Sequence, residues 1–367
     1  MNAFARRPEA DDPALRRSYG HPDRGLHRFF RHSHRRMQRR FVALVDAASI
    51  PRAFLHGNPH LANYAKNRSG AAMVDFDRAR LGPYLYDVVR FLVSVSLRRG
   101  DEGDGRLLHP AVLDSFRRGY LMGVGAPDLG YEEMRDLRRR SPKKWQQDLA
   151  AYLAAERAWS GRLRAHAIDP TEPRLRALLE SYLTSRDEES LGPHYRIEAA
   201  ASVPGSMGKI HTLLLLRPDR DDLPRRLIDV KEVYDEPDDA FFDNPFGHNG
   251  RRMVEAGRLH APGWENEPGW ATHGGVEYWV RGIPTQNDKL AKKRLTPIQQ
   301  IDVAFAVGSQ LGRAHHLSME RDRDAHLEHF QGAYREAVEV AAQLRTELAR
   351  AHAAYLAETA PAAAVGW

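Results

Sequence analysis

Between Leu26 and Ala47 the apolar positions Leu26, Phe29, Phe30, Met37, Phe41, Leu44 and Val45 recur mostly at steps of three, four and seven residues, which predicts a helix with one buried face. Residues 1–23 carry little such periodicity and read as a flexible basic arm. The proline in SIPRAFLHGN breaks the helical pattern. AAMVDFDRARLGPYLYDVVRFLVSVSLRRG then predicts a short strand, a Gly-Pro turn and a helix from Tyr84 to Arg98. Residues 107–190 read as helical, with turns near GVGAPDLG and AIDPTEPR.

After residue 190 the pattern changes. YRIEAAASVPGSMGKIHTLLLLRPDRDDLPRRLIDVKEVYD holds a Gly/Ser turn, the apolar run Leu213–Leu216, a polar loop with proline and a second run in LIDVKEV, which together predict a β-hairpin region. NGRRMVEAGRLHA predicts a helix within the Pro/Gly/Trp-rich stretch 237–275, and GGVEYWVRGI predicts another strand. From Pro297 to Glu358 the chain reads as helix, with Ile301, Ala304, Phe305, Gly308, Leu311 and Gly312 on one face. The expected organisation is α+β: a helical lobe (24–190), a β-rich lobe (191–290), C-terminal helices packing on the helical lobe (291–358) and a loose tail (359–367).

Length and composition fit this division. At 367 residues the chain exceeds a single small core, and its 42% hydrophobic and 28% charged residues are those of a globular protein. No apolar run approaches the roughly 20 residues that span a bilayer, so no membrane partner is expected. The first residues carry Arg and Asp where a secretory signal would be apolar, which predicts a cytoplasmic protein. Having no cysteine, the chain cannot use disulfides, Cys-ligated zinc, iron-sulfur clusters or thiol catalysis. The net charge is +6, and RRSYGHPDRGLHRFFRHSHRRMQRRF is strongly basic. That segment is either a solvated helix face or a surface for an acidic ligand, nucleic acid included.

Chemistry concentrates in two places. In FLHGNPHLAN, His56, Gly57, Asn58, His60 and Asn63 share a loop, and Asp75 follows twelve residues after Asn63 at the end of the next apolar run. An amide and a carboxylate so disposed suit Mg2+, which takes oxygen ligands, with Asp77 a further donor; a loop cap and a turn acid are the ordinary alternatives. In the second half, Gly205, Ser206 and Gly208 form a turn in PGSMGK where backbone could approach phosphate oxygens, although hairpin turns have the same composition. Lys231 is a lone cation in the apolar strand IDVKE, costly unless it is paired or binds an anion, and Glu255 on the following helix is a candidate partner. A glycine turn, a strand lysine with its acid, an Asn and an Asp for metal, and a residue beside the acceptor are the parts that phosphoryl transfer requires.

HGNPHLAN, VDFD and GPYLYDVVRF resemble the motifs of the aminoglycoside phosphotransferase and choline kinase group within the protein-kinase-like superfamily. More specifically, GNPHLANY, VDFDRARLGPYLYDVVRF, GSMGKIHTLLLL, IDVKE and RRMVEAGRL resemble, in that order, the bacterial family of domain of unknown function 2252, as do HRFFRH and LGRAHHLS. The similarity runs from about residue 25 to 320. It implies a two-lobed kinase-like fold in circularly permuted order, with ATP and Mg2+ as cofactors and an unknown small molecule or protein as acceptor. It also implies that Lys231 contacts the α- and β-phosphates with Glu255 holding it, that the turn from Gly205 to Gly208 covers the phosphates, and that Asn63 and Asp75 bind Mg2+. Asp87 would brace the catalytic loop, and residues from Tyr278 to Arg281 would line the adenine.

Two positions depart from the family pattern: His32 replaces a glycine, and the departure that matters is at Asn58. Asn58 stands where the catalytic Asp is expected, and an amide orients a hydroxyl but cannot take its proton. Three readings follow: a phosphotransferase that is slow or uses His56, His60 or Asp77 near the acceptor; a nucleotide-binding pseudokinase acting through a partner; and, ranked last, a hydrolase with a transition metal on His56, His60, Asp75 and Asp77.

Overall fold

The computed structural model describes residues 3–6, 13–97, 107–140, 149–154, 158–205, 209–283, 287–290 and 295–359. In chain order these form α1 (Pro13–Tyr19), α2 (Gly25–Arg31), α3 (His34–Val42), β1 (Arg52–Leu55), β2 (Tyr64–Lys66), β3 (Ala71–Met73), β4 (Arg80–Pro83), α4 (Leu85–Ser96), α5 (Pro110–Gly125) and α6 (Arg135–Arg138). Next come α7 (Leu149–Ala154), α8 (Ala158–Ala165), β5 (Ala167–Ile168), α9 (Pro173–Thr184), β6 (Tyr195–Pro204), β7 (Ile210–Pro218) and β8 (Arg226–Glu232). The chain continues with α10 (Asn249–His260), β9 (Gly269–His273), β10 (Val276–Ile283), β11 (Asp288–Lys289), α11 (Pro297–Ser318) and α12 (Arg323–Thr359). Among the described residues no helix is long and apolar enough to cross a membrane.

The chain divides into two compact units, each built from separated segments. Met1–Tyr64, Gly82–Arg135 and Leu290–Trp367 make the first, and Ala65–Leu81 with Asp136–Lys289 the second. This differs from the continuous helical lobe 24–190 expected from the sequence. The reason lies in α9, whose Leu175, Leu178, Leu179, Tyr182 and Leu183 bury against Leu214, Leu216, Ile228 and Val230 of a sheet, which ties this helix to the second unit.

The first unit is helical. Its centre is the crossing of α5 and α11, which the glycines make unusually close. A Cβ at Gly119 or Gly123 on α5 would run into the backbone carbonyl of Phe305 or Ser309, and one at Gly308 or Gly312 on α11 into that of Phe116 or Tyr120. Side chains longer than hydrogen would hold these helices apart. α11 starts at a capping box, with the Thr296 hydroxyl accepting from the Gln299 N–H (3.3 Å) and the Gln299 side chain accepting from the Thr296 N–H (3.1 Å). The helical tail expected from Pro297 onward is two helices, broken at Met319–Asp322. The helix expected over 26–47 is likewise α2 and α3, with the Ser33 hydroxyl between them donating to the Phe29 carbonyl (2.7 Å). Within the expected flexible arm, residues 13–19 are helical, and Tyr19 is buried with ring contacts of 5.4 Å to both Phe29 and Tyr355.

The second unit is built on a six-stranded antiparallel sheet of order β5-β6-β7-β8-β10-β9. One face is covered by α9. On the other, register aligns His211, Lys231 and Trp279 in one row across β7, β8 and β10, and Leu213, Asp229 and Arg281 in the next. There α10 packs through Met253 and Val254 against Val233 and Trp279. β2 and β3 turn tightly at Asn67–Gly70, with the Asn67 N–H donating to the Gly70 carbonyl (3.0 Å), and β3 leads the chain to Asp75.

Candidate functional site

In the second unit the alternation of β8 sends Ile228 and Val230 toward α9 and Asp229 and Lys231 to the opposite face. Lys231, only 16% exposed, donates from Nζ to both carboxylate oxygens of Asp77 (2.9 and 2.8 Å) and lies 5.8 Å from the centre of the Trp279 ring. Burial works against the Lys231 ammonium, but Asp77 and then Asp75 outweigh it and keep its pKa above the usual lysine value. Burial likewise opposes the Asp77 carboxylate, which Lys231, with Arg78 and Arg252, nevertheless holds below the usual range. Both groups are therefore charged at neutral pH.

The segment bearing these acids is fixed from α10. The Arg252 guanidinium, almost wholly buried, donates to the Asp77 carbonyl (3.2 Å) and to the Ala79 carbonyl, and burial lowers its pKa to about 10. Arg78 pairs with Glu236 and lies 4.6 Å from the Tyr234 ring. Asp75 has φ 76°, a left-handed conformation that L-residues other than Gly adopt at a cost of about 1–2 kcal/mol. Strain at a residue flanked by ordered charges is characteristic of functional segments. Behind Lys231, fully buried Asp229 accepts from His211 Nδ1 (2.7 Å) and faces Arg281, whose Nε lies 3.6 Å from Asp229 and whose Nη1 lies 3.4 Å from Glu265.

In the first unit the loop after β1 is held by α4. Asp87 Oδ2 accepts from the His56 N–H (2.7 Å) and Oδ1 from the Gly57 N–H (3.0 Å), a turn that requires φ 77° at Gly57. Burial raises the Asp87 pKa to about 6, partly offset by His56 and these backbone donors. Three residues along the same helix, Arg90 donates from Nε to Asn58 Oδ1 (2.7 Å) and from Nη2 to the carbonyls of Phe30 (3.2 Å) and Arg31 (3.4 Å) at the end of α2. His60 is buried, its ring 5.9 Å from that of His27, and its Nδ1 has no partner among the described residues. Burial, then Arg31, His27, Arg90 and His56, hold its pKa well below 6.5. Asn63, also buried, donates its N–H to the His60 carbonyl (2.8 Å), while its side-chain Nδ2 has no partner among the described residues.

Behind Asp87 runs a buried chain of side chains: His315 Nε2 lies 3.3 Å from Asp87 Oδ2, His315 Nδ1 lies 2.9 Å from the Tyr120 hydroxyl, and that hydroxyl lies 3.2 Å from His326 Nε2. Burial lowers the pKa of both histidines to about 3. Unfolded, they would titrate near 6.5. Their neutral folded forms therefore contribute stability that is fully present above about pH 6.5 and lost as pH falls toward the folded values. Asp87 pulls the other way, but one carboxylate moved to about 6 is outweighed by two imidazoles moved to about 3. The thermal unfolding midpoint is expected to fall between about pH 7.5 and 5, and His326→Gln, which keeps a donor for Tyr120 without titrating, to flatten that fall. A slope identical in His326→Gln would remove this histidine as a cause.

A family model described as an uncharacterized protein conserved in bacteria, DUF2252, matches residues 130–358, more than half of the chain. The chain belongs to the DUF2252 family. A second model, the phosphotransferase enzyme family APH, matches residues 3–137 of this DUF2252 protein, a stretch of kinase-like phosphotransferase sequence that includes the Asp87-braced loop. No curated protein and no solved structure gives a significant match.

Within this DUF2252 protein the expected site residues fall as follows. His56, Asn58, His60 and Asn63 share the Asp87-braced loop, and Asp75, Asp77 and Lys231 share the charged face of the sheet. Glu255 does not meet Lys231: it pairs with Arg258 (3.1 Å) and lies 3.9 Å from Arg251. The helical phase of α10 turns Arg252, Met253, Ala256 and Gly257 inward and leaves Glu255 half-exposed, so Asp77 takes the role expected of it. Tyr278 and Arg281 stand on opposite faces of β10, as strand alternation demands, with Tyr278 against the α9 core and Arg281 beside Asp229. They cannot line one pocket with their side chains. Gly205 closes the β6–β7 turn, its N–H donating to the Lys209 carbonyl (2.7 Å); Ser206 and Gly208 lie outside the described residues. The strand expected to end at Asp75 ends at Met73. Among the described residues, no group of three or more His, Asp or Glu side chains is gathered to hold a metal ion.

Arg90 and Arg252 were not anticipated, and Trp279 was expected only within the range Tyr278 to Arg281 and not as a neighbour of Lys231. Arg90 was within reach, since it lies three residues after Asp87 on one helix and so faces the same loop. Trp279 is two residues from Arg281 in an alternating strand. For Arg252 the sequence carried no signal.

Proposed function

We propose that this DUF2252 protein is an ATP-dependent phosphotransferase of kinase-like, circularly permuted organisation, its catalytic-type loop preceding its lysine-bearing sheet in the chain. The observation that carries this reading is Lys231: a buried ammonium kept charged by Asp77 on a strand face beside Trp279, with Asp75 two residues before its partner. A strand lysine so held suits the α- and β-phosphates of a nucleotide. Asn63 and Asp75 are the residues that the resemblance assigns to Mg2+, and an amide oxygen and a carboxylate are groups that a hard cation takes. When bound, Mg2+ would neutralise phosphate charge. Gly205 begins the turn assigned to the phosphates, Asp87 fixes the loop, and His56 and Asn58 orient the acceptor.

The test is the thermal shift with ATP, with and without Mg2+, each protein compared with its own unliganded baseline. Ligand at about 100 times its dissociation constant stabilises by roughly 2.7 kcal/mol. A Mg2+-dependent shift that Lys231→Ala abolishes is the expected result. No shift in the wild type would overturn the reading.

A second reading, a nucleotide-binding pseudokinase acting through a partner, is favoured by Asn58, whose amide cannot accept a proton. It expects Mg-ATP binding without transfer. Asn58→Asp should then create ATP hydrolysis, and an equally inert variant would remove the missing base as the explanation.

A further inference from the structure

Asp229 has no part in the reading above. It lies in β8 between Ile228 and Val230, fully buried, where an ionised carboxylate is costly unless it is engaged. The hydrogen bond that it accepts among the described residues comes from His211 Nδ1 (2.7 Å), while Arg281 Nε at 3.6 Å is too far for one. Burial opposes its charge, but His211, then Arg281 and Lys231, keep it ionised. Too deep to meet a ligand, Asp229 acts through its partners.

His211 is the partner that reaches the glycine turn. Register places it across from Lys231, in the row that ends at Trp279, and its side chain is 16% exposed. Because Nδ1 is committed to Asp229, the ring is held in one orientation, and its Cδ2–Nε2 edge lies against Gly205. A Cβ at Gly205 would fall 2.6 Å from the Lys209 carbonyl oxygen, 2.7 Å from His211 Cδ2 and 2.9 Å from Nε2, closer than real Cβ atoms come. The Gly205 N–H donates to that same Lys209 carbonyl (2.7 Å). Just past the end of β6, a glycine is therefore wedged between a carbonyl and an imidazole. Lys209 is held as well, its ammonium donating to Glu232 (2.7 Å) and lying 5.4 Å from the centre of the Tyr234 ring.

We infer that His211, oriented by Asp229, is a positioning residue for the nucleotide: it props the root of the turn at Gly205, next to Lys231, so that the main chain there is in place before the β- and γ-phosphates arrive. This rests on the phosphotransferase reading and adds a buried carboxylate and an imidazole to the same site. The gain is preorganisation. A turn root that is already ordered does not have to be ordered by the ligand, and only ligands long enough to reach it register the difference.

Dissociation constants for ATP, ADP and AMP, each with Mg2+, test this in the wild type and in His211→Asn. The asparagine keeps an N–H for Asp229 in the place of Nδ1 but has no ring edge to reach Gly205, so the buried carboxylate stays engaged. Affinity for ATP and ADP is expected to fall about tenfold, with AMP changed by less than about twofold. Gly205→Ala leaves the His211–Asp229 bond in place and forces the turn off the ring; it should give the same pattern, and combining the two should cost little more than either alone. Equal weakening of all three nucleotides, or no change in either variant, would overturn the inference. The wild-type Mg-ATP thermal shift separates the two claims. If it is absent, the phosphotransferase reading fails and this role with it; if it is present and the substitutions leave the preference for ATP over AMP unaltered, the role of His211 alone fails.

Discussion

Asp77→Ala is expected to destabilise the protein by about 3–5 kcal/mol, the effect of breaking a buried ion pair from one side. Lys231 Nζ would keep its burial and lose both of its charge-assisted hydrogen bonds, leaving Asp75 as the remaining negative neighbour. The comparison that identifies the cause is the double variant Asp77→Ala/Lys231→Met, in which no uncompensated charge remains. It should regain most of the loss, because replacing a buried pair by apolar groups is close to neutral. Urea midpoints of wild type, both single variants and the double close the cycle. If the double variant is as unstable as Asp77→Ala, the damage comes from the Asp77 segment and not from the stranded ammonium.

An equally large effect is expected at the helix crossing of the first unit. Gly312→Val places methyl groups where the Tyr120 carbonyl lies, and backbone cannot swing aside as the end of a flexible side chain can. Overpacking a core typically costs about 1–3 kcal/mol, and here the obstacle is another helix's main chain, so the upper end of that range is the minimum. Gly332 on α12 is the control. Nothing lies within 4 Å of a Cβ built there, and Gly332→Ala should stabilise by about 0.5–1 kcal/mol through helix propensity. Thermal unfolding of the two variants should move in opposite directions. A Gly312→Val protein as stable as wild type would mean that α5 and α11 are not pressed together as the glycines indicate.

Both predictions rest on contacts that the sequence exposed only in part. The run LIDVKEV announced a strand, and the cost of a charge inside it announced that Lys231 must have a partner. It could not announce which partner, because Asp77 lies 154 residues away and sequence periodicity describes faces, not their neighbours. Glu255 looked suitable by residue type, yet helical phase decides such pairings, and the phase of α10 became fixed only once Met253 and Val254 met Val233 and Trp279. The left-handed backbone at Asp75 was signalled only by its place at the end of an apolar run, where a turn acid was the ordinary alternative. By contrast the loop at His56–Asn63 was legible as a unit, because glycine, asparagine and histidine so close together have few roles in a core. What the sequence obscured there was Arg90, which converts Asn58 from a missing acid into an oriented donor.

The glycine seam also dictates an order of events during synthesis. α5 ends at Gly125 and α11 does not begin until Pro297. At about 5–20 residues per second, the roughly 170 residues between them keep α5 waiting for roughly ten to thirty seconds. In that interval nearly all of the second unit emerges, since its larger segment, Asp136–Lys289, lies wholly within the gap. The unit that begins the chain is therefore the last to be completed, and a nascent chain stalled before α11 would present the Gly119 and Gly123 face as an unfilled groove, a natural target for chaperones that hold unfinished proteins.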